Sequence, residues 1–374
     1  MPAFRAGGPI QSVANLVREY RGDVEYYIFT SDTDLTGGAL GNVATGEWVR
    51  FNDVTHVWYA DHEKISDSLV KQVEKIKPDI IYIIGVWSWH FNVVPLAFCK
   101  GPIKILSARG MLHPGAMTQK KWKKKFFLTA FKLLEYHYKT SFHATDDEEE
   151  KYIRGHFGHP AIIYKAGNFP NIISDVPVLP KEPGTLHLVS VALVSPMKNI
   201  LHILAALMQV PATVVHDIYG PVKDTGYWEQ CKQLIRELQP NITARYNGAI
   251  EPPMVKSALQ QAHVAILPSK SENFGHAIYE ALSAGRPVIT SHTTPWNDLE
   301  HSSAGLNVEP SAGSLADAIS FFAAMDQQQL AQWSDGARTY AANAVDIETI
   351  RSQYKAMFGS AITGKQESKA KSNK

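Results

Sequence analysis

The chain has 374 residues and a mass of 41.5 kDa, which is more than one hydrophobic core usually organises, so its length favours two domains. With 45% hydrophobic and 20% charged residues, the composition excludes the disordered, collagenous and disulfide-rich classes and predicts a soluble globular protein. The 37 Lys and Arg residues nearly balance the 36 Asp and Glu residues, and a net charge of +1 excludes a global field that recruits nucleic acid.

The cysteine content and the lack of long apolar segments indicate the cellular compartment in which the protein is expected. Cys99 and Cys231 lie far apart without metal or disulfide spacing, which predicts two small core residues in a reducing cytoplasm. The N-terminus contains no apolar stretch of signal-peptide length, and no run approaches the ~20 apolar residues of a spanning helix. The expectation is a cytoplasmic protein that is neither secreted nor integral to a membrane.

The first half of the chain alternates short apolar runs with amphipathic stretches, the pattern of a parallel sheet covered by helices. Its clearest strand is 79–85, which is apolar on both faces and follows an amphipathic helix with apolar residues from 65 to 76. Further strands are predicted at 24–30, 103–107, 141–144 and 161–164. These elements predict an N-terminal α/β domain at 1–170.

A proline-rich segment then separates the two halves. Four prolines between residues 168 and 186 resist both helix and central strand and predict a stiff linker at 171–185. After it the alternation restarts and predicts a second doubly wound α/β domain at 186–344. A helix at about 345–360 is expected to pack back on the first domain, and the polar residues 364–374 predict a disordered tail.

The most informative stretch is a predicted strand, loop and helix within residues 263–290. Its helix begins at about Gly275, where unpaired N–H groups beyond the carboxyl end of a strand favour a phosphate. Glu272 in the loop and Glu280 in the second helical turn flank this anion site, and carboxylates accept hydrogen bonds from sugar or ribose hydroxyls. A nucleoside diphosphate sugar needs both functions. The alternative is that both glutamates are solvated charges.

This stretch resembles family 4 of the retaining glycosyltransferases, whose Glu-x7-Glu signature matches Glu272 and Glu280. The likeness spans nearly the whole chain and is greatest to a bacterial branch used in surface polysaccharide assembly. That branch is indicated by the motifs at 272–276, 294–296, 219–221 and 109–112. The resemblance implies an α/β fold of the GT-B class, in which two Rossmann-like, doubly wound parallel-sheet domains face a central cleft. The second domain mainly holds the donor, and the acceptor faces the first.

The resemblance also implies roles for the residues of the motif. Glu272 contacts the donor sugar, Glu280 the ribose hydroxyls, and Asn273 with the Phe274 and Gly275 backbone the sugar or the phosphates. No metal or other cofactor is expected, since the nucleotide sugar is a substrate. No protein nucleophile is required either, because in the mechanism inferred for this family the departing phosphate deprotonates the acceptor on the same face.

Two further donor-binding elements are carried over from the family. Gly7 and Gly8 form a loop before an amphipathic helix and face the donor diphosphate. Only six residues precede this loop where family members have a full strand, so either the chain start is truncated or the first sheet lacks that strand. Lys198 neutralises the departing diphosphate. Where the family commonly has an arginine about five residues earlier, this chain has Leu193.

The first domain contributes candidate residues after its third predicted strand. The resemblance implies that His113 hydrogen-bonds the donor sugar near the reacting carbon, and Arg109 is a candidate phosphate or acceptor contact. A rival interpretation places a divalent metal at Asp32-Thr33-Asp34, as in the single-domain glycosyltransferase fold. Aspartates after a strand are more often turn formers, and the Glu-x7-Glu unit favours the architecture that needs no metal.

A basic and aromatic run marks the middle of the first domain. Lys120, Lys121, Lys123, Lys124 and Lys125 open a helix whose apolar residues at 122, 126, 130 and 134 share one face. This face packs in the first core with its lysines solvated, or lies on an anionic membrane surface, and the two alternatives can coexist. A lipid-linked acceptor favours the second alternative.

These observations predict a retaining glycosyltransferase of hexosyltransferase type. It transfers a sugar from a nucleotide-sugar donor to a saccharide or lipid-linked saccharide during surface polysaccharide or lipopolysaccharide biosynthesis. It is expected in the cytoplasm, either free or peripheral on the inner face of the cytoplasmic membrane. Two alternatives stay open: a nucleotide-sugar epimerase on the same scaffold, and a non-catalytic nucleotide-sugar-binding protein. The second alternative is motivated by Leu193 and by the short N-terminus.

Overall fold

The computed structural model describes residues 7–22, 24–34, 38–41, 43–117, 121–159 and 161–372. Contacts divide the chain into two compact units. The first unit holds Ser12–Phe169 and the segment that begins at Ile347, and the second holds Pro170–Asp346 together with residues 7–11. The chain therefore passes from the first unit to the second after Phe169 and returns after Asp346. The predicted linker, 171–185, lies within the second unit.

The secondary structure alternates strands and helices along most of the chain. The strands are β1 (Tyr26–Ser31), β2 (Trp48–Asn52), β3 (Thr55–Ala60), β4 (Ile80–Ile84), β5 (Ile103–Ser107), β6 (Ser141–Ala144), β7 (Ile163–Lys165), β8 (Thr185–Val191), β9 (Thr213–Tyr219), β10 (Ile242–Tyr246), β11 (Val264–Leu267), β12 (Val288–Ser291) and β13 (Gly305–Val308). The helices are α1 (Gly8–Glu19), α2 (Ile65–Ile76), α3 (Val94–Ala97), α4 (Pro114–Met117), α5 (Lys121–Leu133), α6 (Tyr136–Lys139), α7 (Asp147–Phe157), α8 (Ile200–Leu207), α9 (Thr225–Arg236), α10 (Val255–Gln260), α11 (His276–Ser283), α12 (Ala312–Ala324), α13 (Gln327–Ala344) and α14 (Ile347–Ser372). A short π-helix spans Trp89–Val93, and a 3-10 turn spans Pro252–Met254.

The first unit contains two sheets. In one, β1 pairs in parallel with β3, and β2 pairs antiparallel with β3. In the other, β4, β5, β6 and β7 pair in parallel in chain order. The sequence predicted β1 and the second sheet but not β2 or β3. β2 is an edge strand whose apolar residues are interrupted by Arg50, so no continuous apolar run marks it. β3 contains the apolar run 57–60, a strand signal that the sequence prediction missed.

The core of the first unit lies between the β4–β7 sheet and its helices. Phe142 on β6 and Phe157 on α7 stack with their ring centroids 4.7 Å apart, and both are buried. α7 begins after Asp146, whose side chain caps the helix by accepting a hydrogen bond from the Glu149 N–H at 2.7 Å. The buried cysteine of this unit, Cys99, is a free thiol, as expected.

Helix α14 belongs to the first unit, as the predicted return of a C-terminal helix required. Gln353 accepts a hydrogen bond from the Gly167 N–H at 2.9 Å, and the buried Tyr354 ring stacks on Phe169 at 5.4 Å. The helix is longer than predicted, since it continues to Ser372, where the sequence indicated a disordered tail from 364. Its last turns are rich in Lys, Gln, Glu and Ala, which are good helix formers even without an apolar face.

The second unit is built on one parallel sheet of six strands, in the order β10-β9-β8-β11-β12-β13. The chain starts in the middle at β8, adds β9 and β10 on one side, and returns to add β11, β12 and β13 on the other. β11 therefore pairs directly with β8, with Val264 opposite Leu188. The strand order reverses between these two neighbours, which makes them the topological switch point of the sheet.

The proline-rich segment before β8 is fixed along the second unit. Ile173 and Val176 are buried in one of its cores, and the Ile173 N–H donates to Ser283 Oγ at 3.0 Å. The Lys181 ammonium is buried and donates to three backbone carbonyls, two of them at the C-terminal end of α12 at 2.7 and 2.9 Å. The prolines prevent regular structure, while these contacts hold the segment in place.

Candidate functional site

The candidate site lies at the switch point of the second unit, where the loops after β8 and β11 lie side by side. These loops cover residues 192–199 and 268–275, and the Lys270 N–H donates to the Met197 carbonyl at 2.9 Å. In open parallel sheets, ligands bind beyond the carboxyl ends of the strands at such a point. The predicted donor residues Lys198 and Glu272 lie one on each loop.

Lys198 and Glu272 form an ion pair. Lys198 Nζ donates to Glu272 Oε1, and the two side chains are only 19% and 11% exposed. Ser269 Oγ donates to the same carboxylate oxygen at 2.7 Å, so the carboxylate has a second partner that fixes its position. The structure therefore brings together a cation suited to a phosphate and a carboxylate suited to a sugar hydroxyl.

Ser269 was missed in the sequence, although it precedes Glu272 by only three residues. Its side chain is fully buried, and its carbonyl accepts hydrogen bonds from the hydroxyls of Ser291 and Thr293, the latter at 2.9 Å. These bonds connect the β11 loop to the loop after β12. The signal that sequence reasoning passed over is the hydroxyl content of residues 290–294, which follow a strand at the same edge of the sheet.

The start of α11 is shaped by a glycine. Gly275 has a φ of +74°, and a Cβ at this position would come 3.1 Å from Trp296 Nε1, so only glycine fits without strain. Trp296 donates its indole N–H to the Phe274 carbonyl, and its ring packs edge-on against Phe274 at 5.2 Å. Gly275 is the N-cap residue and has no side chain of its own to cap the helix. The N-terminus of α11 therefore offers backbone N–H groups next to Asn273 and Phe274, as an anion site requires.

Glu280 is buried in the second turn of α11. Asn171 Nδ2 donates to its carboxylate at 2.9 Å. Burial outweighs this hydrogen bond and raises the pKa of Glu280 from 4.5 to about 7. A buried carboxyl group with a pKa near neutrality is a feature of functional sites. Asn171 was not predicted, because it lies 109 residues from Glu280 in the sequence.

The predicted glycine loop begins helix α1. Gly7 has a φ of +78°, and the Ile10 N–H donates to its carbonyl at 3.2 Å. Residues 7–11 group with the second unit, where a Cβ on Gly7 would come 3.4 Å from the Leu193 side chain. Leu193, which replaces the family's arginine, thus contacts the loop predicted to bind phosphate. Residues 1–6 lie outside the described part of the chain.

The Arg109 side chain forms its hydrogen bonds within the first unit. Its guanidinium is buried and donates to Asn168 Oδ1, to the Tyr82 hydroxyl at 2.9 Å and to the Tyr354 hydroxyl at 3.4 Å. These partners belong to β4, to the end of the first unit's main segment, and to α14. Because the side chain is already committed to them, its burial disfavours the predicted contact with a donor phosphate or an acceptor.

His113 lies after β5 in the first unit and is half-buried. Its Nδ1 accepts a hydrogen bond from the Gly115 N–H at 3.1 Å, and its ring packs edge-on against Tyr152 at 5.2 Å. In the neutral imidazole this places the proton on Nε2, which is then a donor. A hydrogen bond from Nε2 to the donor sugar stays a prediction.

The rival metal site was predicted at Asp32-Thr33-Asp34. Among the described residues, the ligand atoms of Asp32, Asp61 and His62 lie within 4.8 Å of one another at the ends of β1 and β3, and Asp34 is not part of this group. His62 Nδ1 is 3.5 Å from an Asp32 carboxylate oxygen, so the group is internally paired. It does not reproduce the Asp-x-Asp arrangement. That the reaction needs no metal stays a prediction.

Comparisons with known proteins find a family match within the second unit and solved structures of similar fold. Residues 171–340 match the model of the family described as Glycosyl transferases group 1. Sucrose-phosphate synthase from Thermosynechococcus elongatus aligns with a TM-score of 0.71 at 18% identity, covering 96% of this chain and 94% of that one. Anabaena HepE in complex with UDP and glucose aligns with a TM-score of 0.69 at 16% identity, covering 96% and 98%.

A third similar structure is WaaG, a glycosyltransferase involved in lipopolysaccharide biosynthesis. It aligns with a TM-score of 0.67 at 13% identity, covering 94% of this chain and 96% of that one. No curated protein matches by sequence. These likenesses confirm the predicted GT-B fold class of Rossmann-like parallel-sheet units. Within the described residues, no helix combines the length and apolarity needed to cross a bilayer.

Proposed function

We propose that the chain is a glycosyltransferase that transfers a sugar from a nucleotide-sugar donor. The observation that carries this proposal is the Lys198–Glu272 ion pair at the switch point, next to the N-terminus of α11. A cation, backbone N–H groups and a sugar-binding carboxylate are the set that a nucleoside diphosphate sugar needs. The family model that matches residues 171–340 supports the same conclusion, because the site lies inside that range.

Each group has a role in the proposed reaction. Lys198 and the first N–H groups of α11 stabilise the negative charge that develops on the leaving diphosphate. Glu272 accepts hydrogen bonds from the sugar once Lys198 turns to the phosphate. Glu280, on the second turn of the same helix, accepts them from the ribose hydroxyls. The ion pair of the free chain keeps both charges partnered until the donor arrives.

The finer features of the reaction extend the resemblance found in the sequence. We propose transfer of a hexose with retention of configuration, in which the departing phosphate takes the acceptor proton and no side chain acts as nucleophile. The donor proposed is a UDP-sugar, supported by the UDP and glucose bound to Anabaena HepE. The acceptor proposed is a saccharide or lipid-linked saccharide of surface polysaccharide biosynthesis. The enzyme then acts in the cytoplasm, at the inner face of the membrane.

The proposal is tested with a panel of nucleotide sugars, beginning with UDP-glucose, in binding and nucleotide-release assays. Lys198→Ala is expected to lower the rate of UDP release by about 10²- to 10³-fold, the usual effect of losing one group that stabilises developing charge. Glu280→Ala is expected to weaken donor binding by roughly 10- to 100-fold through lost hydrogen bonds to a carboxylate. Lys232→Ala removes a surface ion pair on α9 and serves as the control.

The outcomes separate the alternatives. Unchanged donor affinity in both variants would contradict the proposed site. Donor binding without nucleotide release for any acceptor would indicate a non-catalytic binding protein, which Leu193 favours because it leaves the phosphates with one cation fewer. A donor sugar that changes configuration without an acceptor would indicate an epimerase.

A further inference from the structure

Helix α5 turns an apolar stripe toward solvent. Trp122, Phe126 and Leu133 are 81%, 76% and 78% exposed, although they are large and apolar. At 100° per residue they lie within about 40° of one another around the helix. We call these three residues the α5 stripe. The helix is packed in the core through its other side, where Leu128 and Phe131 are buried. The stripe is therefore a second apolar face, which the core of the first unit does not use.

Lysines line both sides of the α5 stripe. Lys121, Lys125 and Lys132 follow one edge of it, Lys123 follows the other, and all four are exposed. Among the described residues none of the four forms an ion pair, and the sequence from 121 to 134 contains no acidic residue. An apolar centre flanked by unneutralised cations is the pattern of a helix that lies in a membrane interface.

Lys124 and Lys120 differ from the flanking lysines. Lys124 donates to the Ala116 carbonyl at 2.6 Å and lies over the Trp87 ring, so it helps to hold α5 in the unit. Lys120 lies outside the described residues. The exposed surface continues beyond the helix through Leu134 and Tyr138, which are also large, apolar or aromatic, and solvent-facing. Tyrosine and tryptophan are the residues enriched at membrane interfaces.

We infer that α5 docks the first unit on an anionic lipid surface. The α5 stripe enters the boundary between headgroups and acyl chains, and the flanking lysines contact the lipid phosphates. Charge complementarity favours this occupant over a second copy of the chain, because two α5 helices in contact would bring eight unneutralised lysines together. The biological role of this docking rests on the proposed function, because a lipid-linked acceptor lies at such a surface. Docking itself requires neither donor nor acceptor.

The first test measures flotation of the full chain with vesicles, without nucleotide sugar. Vesicles of phosphatidylcholine alone are compared with vesicles containing about one-third phosphatidylglycerol. Each of the four lysines is expected to raise the partition coefficient onto anionic vesicles about fivefold. Together they predict binding to anionic vesicles that exceeds binding to neutral ones by several hundredfold, to order of magnitude, at low salt. Lys121→Gln with Lys125→Gln is expected to lower it by about 25-fold. The control pair Lys71→Gln and Lys75→Gln, exposed on α2, is expected to change it little.

The second test locates the contact. Brominated lipid tails quench tryptophan fluorescence at short range, so quenching is expected in the native chain and is expected to fall in Trp122→Phe, which keeps an apolar side chain at the site. Trp122→Ser with Phe126→Ser is expected to lower vesicle binding at least tenfold. Phe98→Ser removes another exposed aromatic, 58% accessible and outside α5, and is the control. All the substituted residues are exposed, and thermal unfolding verifies that each variant is folded.

Three results would overturn the inference. They are equal binding to neutral and anionic vesicles, binding unaffected by the stripe variants, and a dimer in sedimentation that the stripe variants abolish. Failure of the proposed function is recognised separately, because a chain that docks on vesicles through α5 but never binds or cleaves a nucleotide sugar would contradict only the transferase.

Discussion

Arg109 in the first unit and Glu280 in the second are both buried ionisable side chains, but their surroundings differ. The Arg109 guanidinium donates to three oxygens, on Asn168, Tyr82 and Tyr354, and these bonds join three separate segments. Among the described residues the Glu280 carboxylate has a single partner, Asn171, and burial raises its pKa to about 7.

The difference teaches how to distinguish a structural buried charge from a functional one. A charge surrounded by hydrogen-bond partners stabilises the fold, because losing it leaves those partners unsatisfied. A charge with few partners destabilises the fold and has capacity left for a ligand. By this criterion Arg109 is expected to act mainly in the fold of the first unit, and Glu280 stays the predicted binding residue of the second.

The largest expected effect is on stability at Arg109. Arg109→Ala would leave buried hydroxyl and amide groups without their donor, and the free energy of unfolding is expected to fall by about 4 kcal/mol. Chemical denaturation measures this, with Arg50→Ala as the control because its ion pair is exposed. Donor affinity is expected to be unchanged. A variant of normal stability that loses donor binding would instead support the phosphate contact predicted from the sequence.

Glu280 is expected to respond in the opposite direction. Its pKa is raised from 4.5 to about 7, so the folded state holds a proton more tightly than the unfolded state and loses stability as the pH rises through this window. A pKa shift of this size lowers the free energy of unfolding by about 3 kcal/mol above pH 7. The glutamine of Glu280→Gln carries no charge. The free energy of unfolding of this variant is therefore expected to exceed that of the native chain by about 3 kcal/mol at pH 8 and to equal it below pH 4.5.

Denaturation of both proteins across this pH range measures the difference. Glu251→Gln, at an exposed position of the same unit, is the control and should follow the native curve. A Glu280→Gln variant that is less stable than the native chain at pH 8 would show that the carboxylate is structural, and the contrast with Arg109 would not hold.

The position of Glu280 depends on the glycine that begins its helix. Gly275→Ala places a Cβ at a φ of +74° and 3.1 Å from the Trp296 ring, and the free energy of unfolding is expected to fall by about 2 kcal/mol. Gly313→Ala, in the first turn of α12 with open space around it, is expected to raise it by about 0.4–1 kcal/mol. Equal effects of the two changes would contradict the strain assigned to Gly275.

The smallest expected effect is a pH dependence of donor binding. In the proposed site the ribose hydroxyls would donate to the ionised form of Glu280, whose population rises about tenfold between pH 6 and pH 8 for a pKa of about 7. The affinity for UDP-glucose is expected to rise by up to the same factor in calorimetric titrations. The Glu280→Gln profile is expected to be flat over this range. If the affinity of the native chain is equally independent of pH, the proposed contact between Glu280 and the ribose is contradicted.

The site segment of the second unit was largely predictable from the sequence. The order of strand, loop, helix and strand from 263 to 291 is observed, with α11 beginning one residue after Gly275. A short apolar run, a glycine at each helix end and a second apolar run leave few alternatives over this length. The partner of Glu280 was not predictable, because Asn171 lies 109 residues away and only the fold brings it close.

Helix α5 shows a different limit of sequence reasoning. Periodicity placed Trp122 and Phe126 on one face but left open whether that face packs in the core or meets a membrane. The structure buries Leu128 and Phe131 instead and leaves Trp122 and Phe126 exposed. A helix with apolar residues on two sides has two possible core faces, and only the neighbouring elements select between them.

The return of α14 to the first unit determines the order in which the chain can fold as it leaves the ribosome. The elements of the second unit's sheet lie between Pro170 and Asp346 and emerge as one block, whereas the first unit lacks Tyr354, the partner of Phe169 and Arg109, until the last residues are translated. The half of the protein that is made first is therefore completed last. A chain truncated after Asp346 would contain every strand and helix of the second unit from β8 to α13, but its first unit would lack α14.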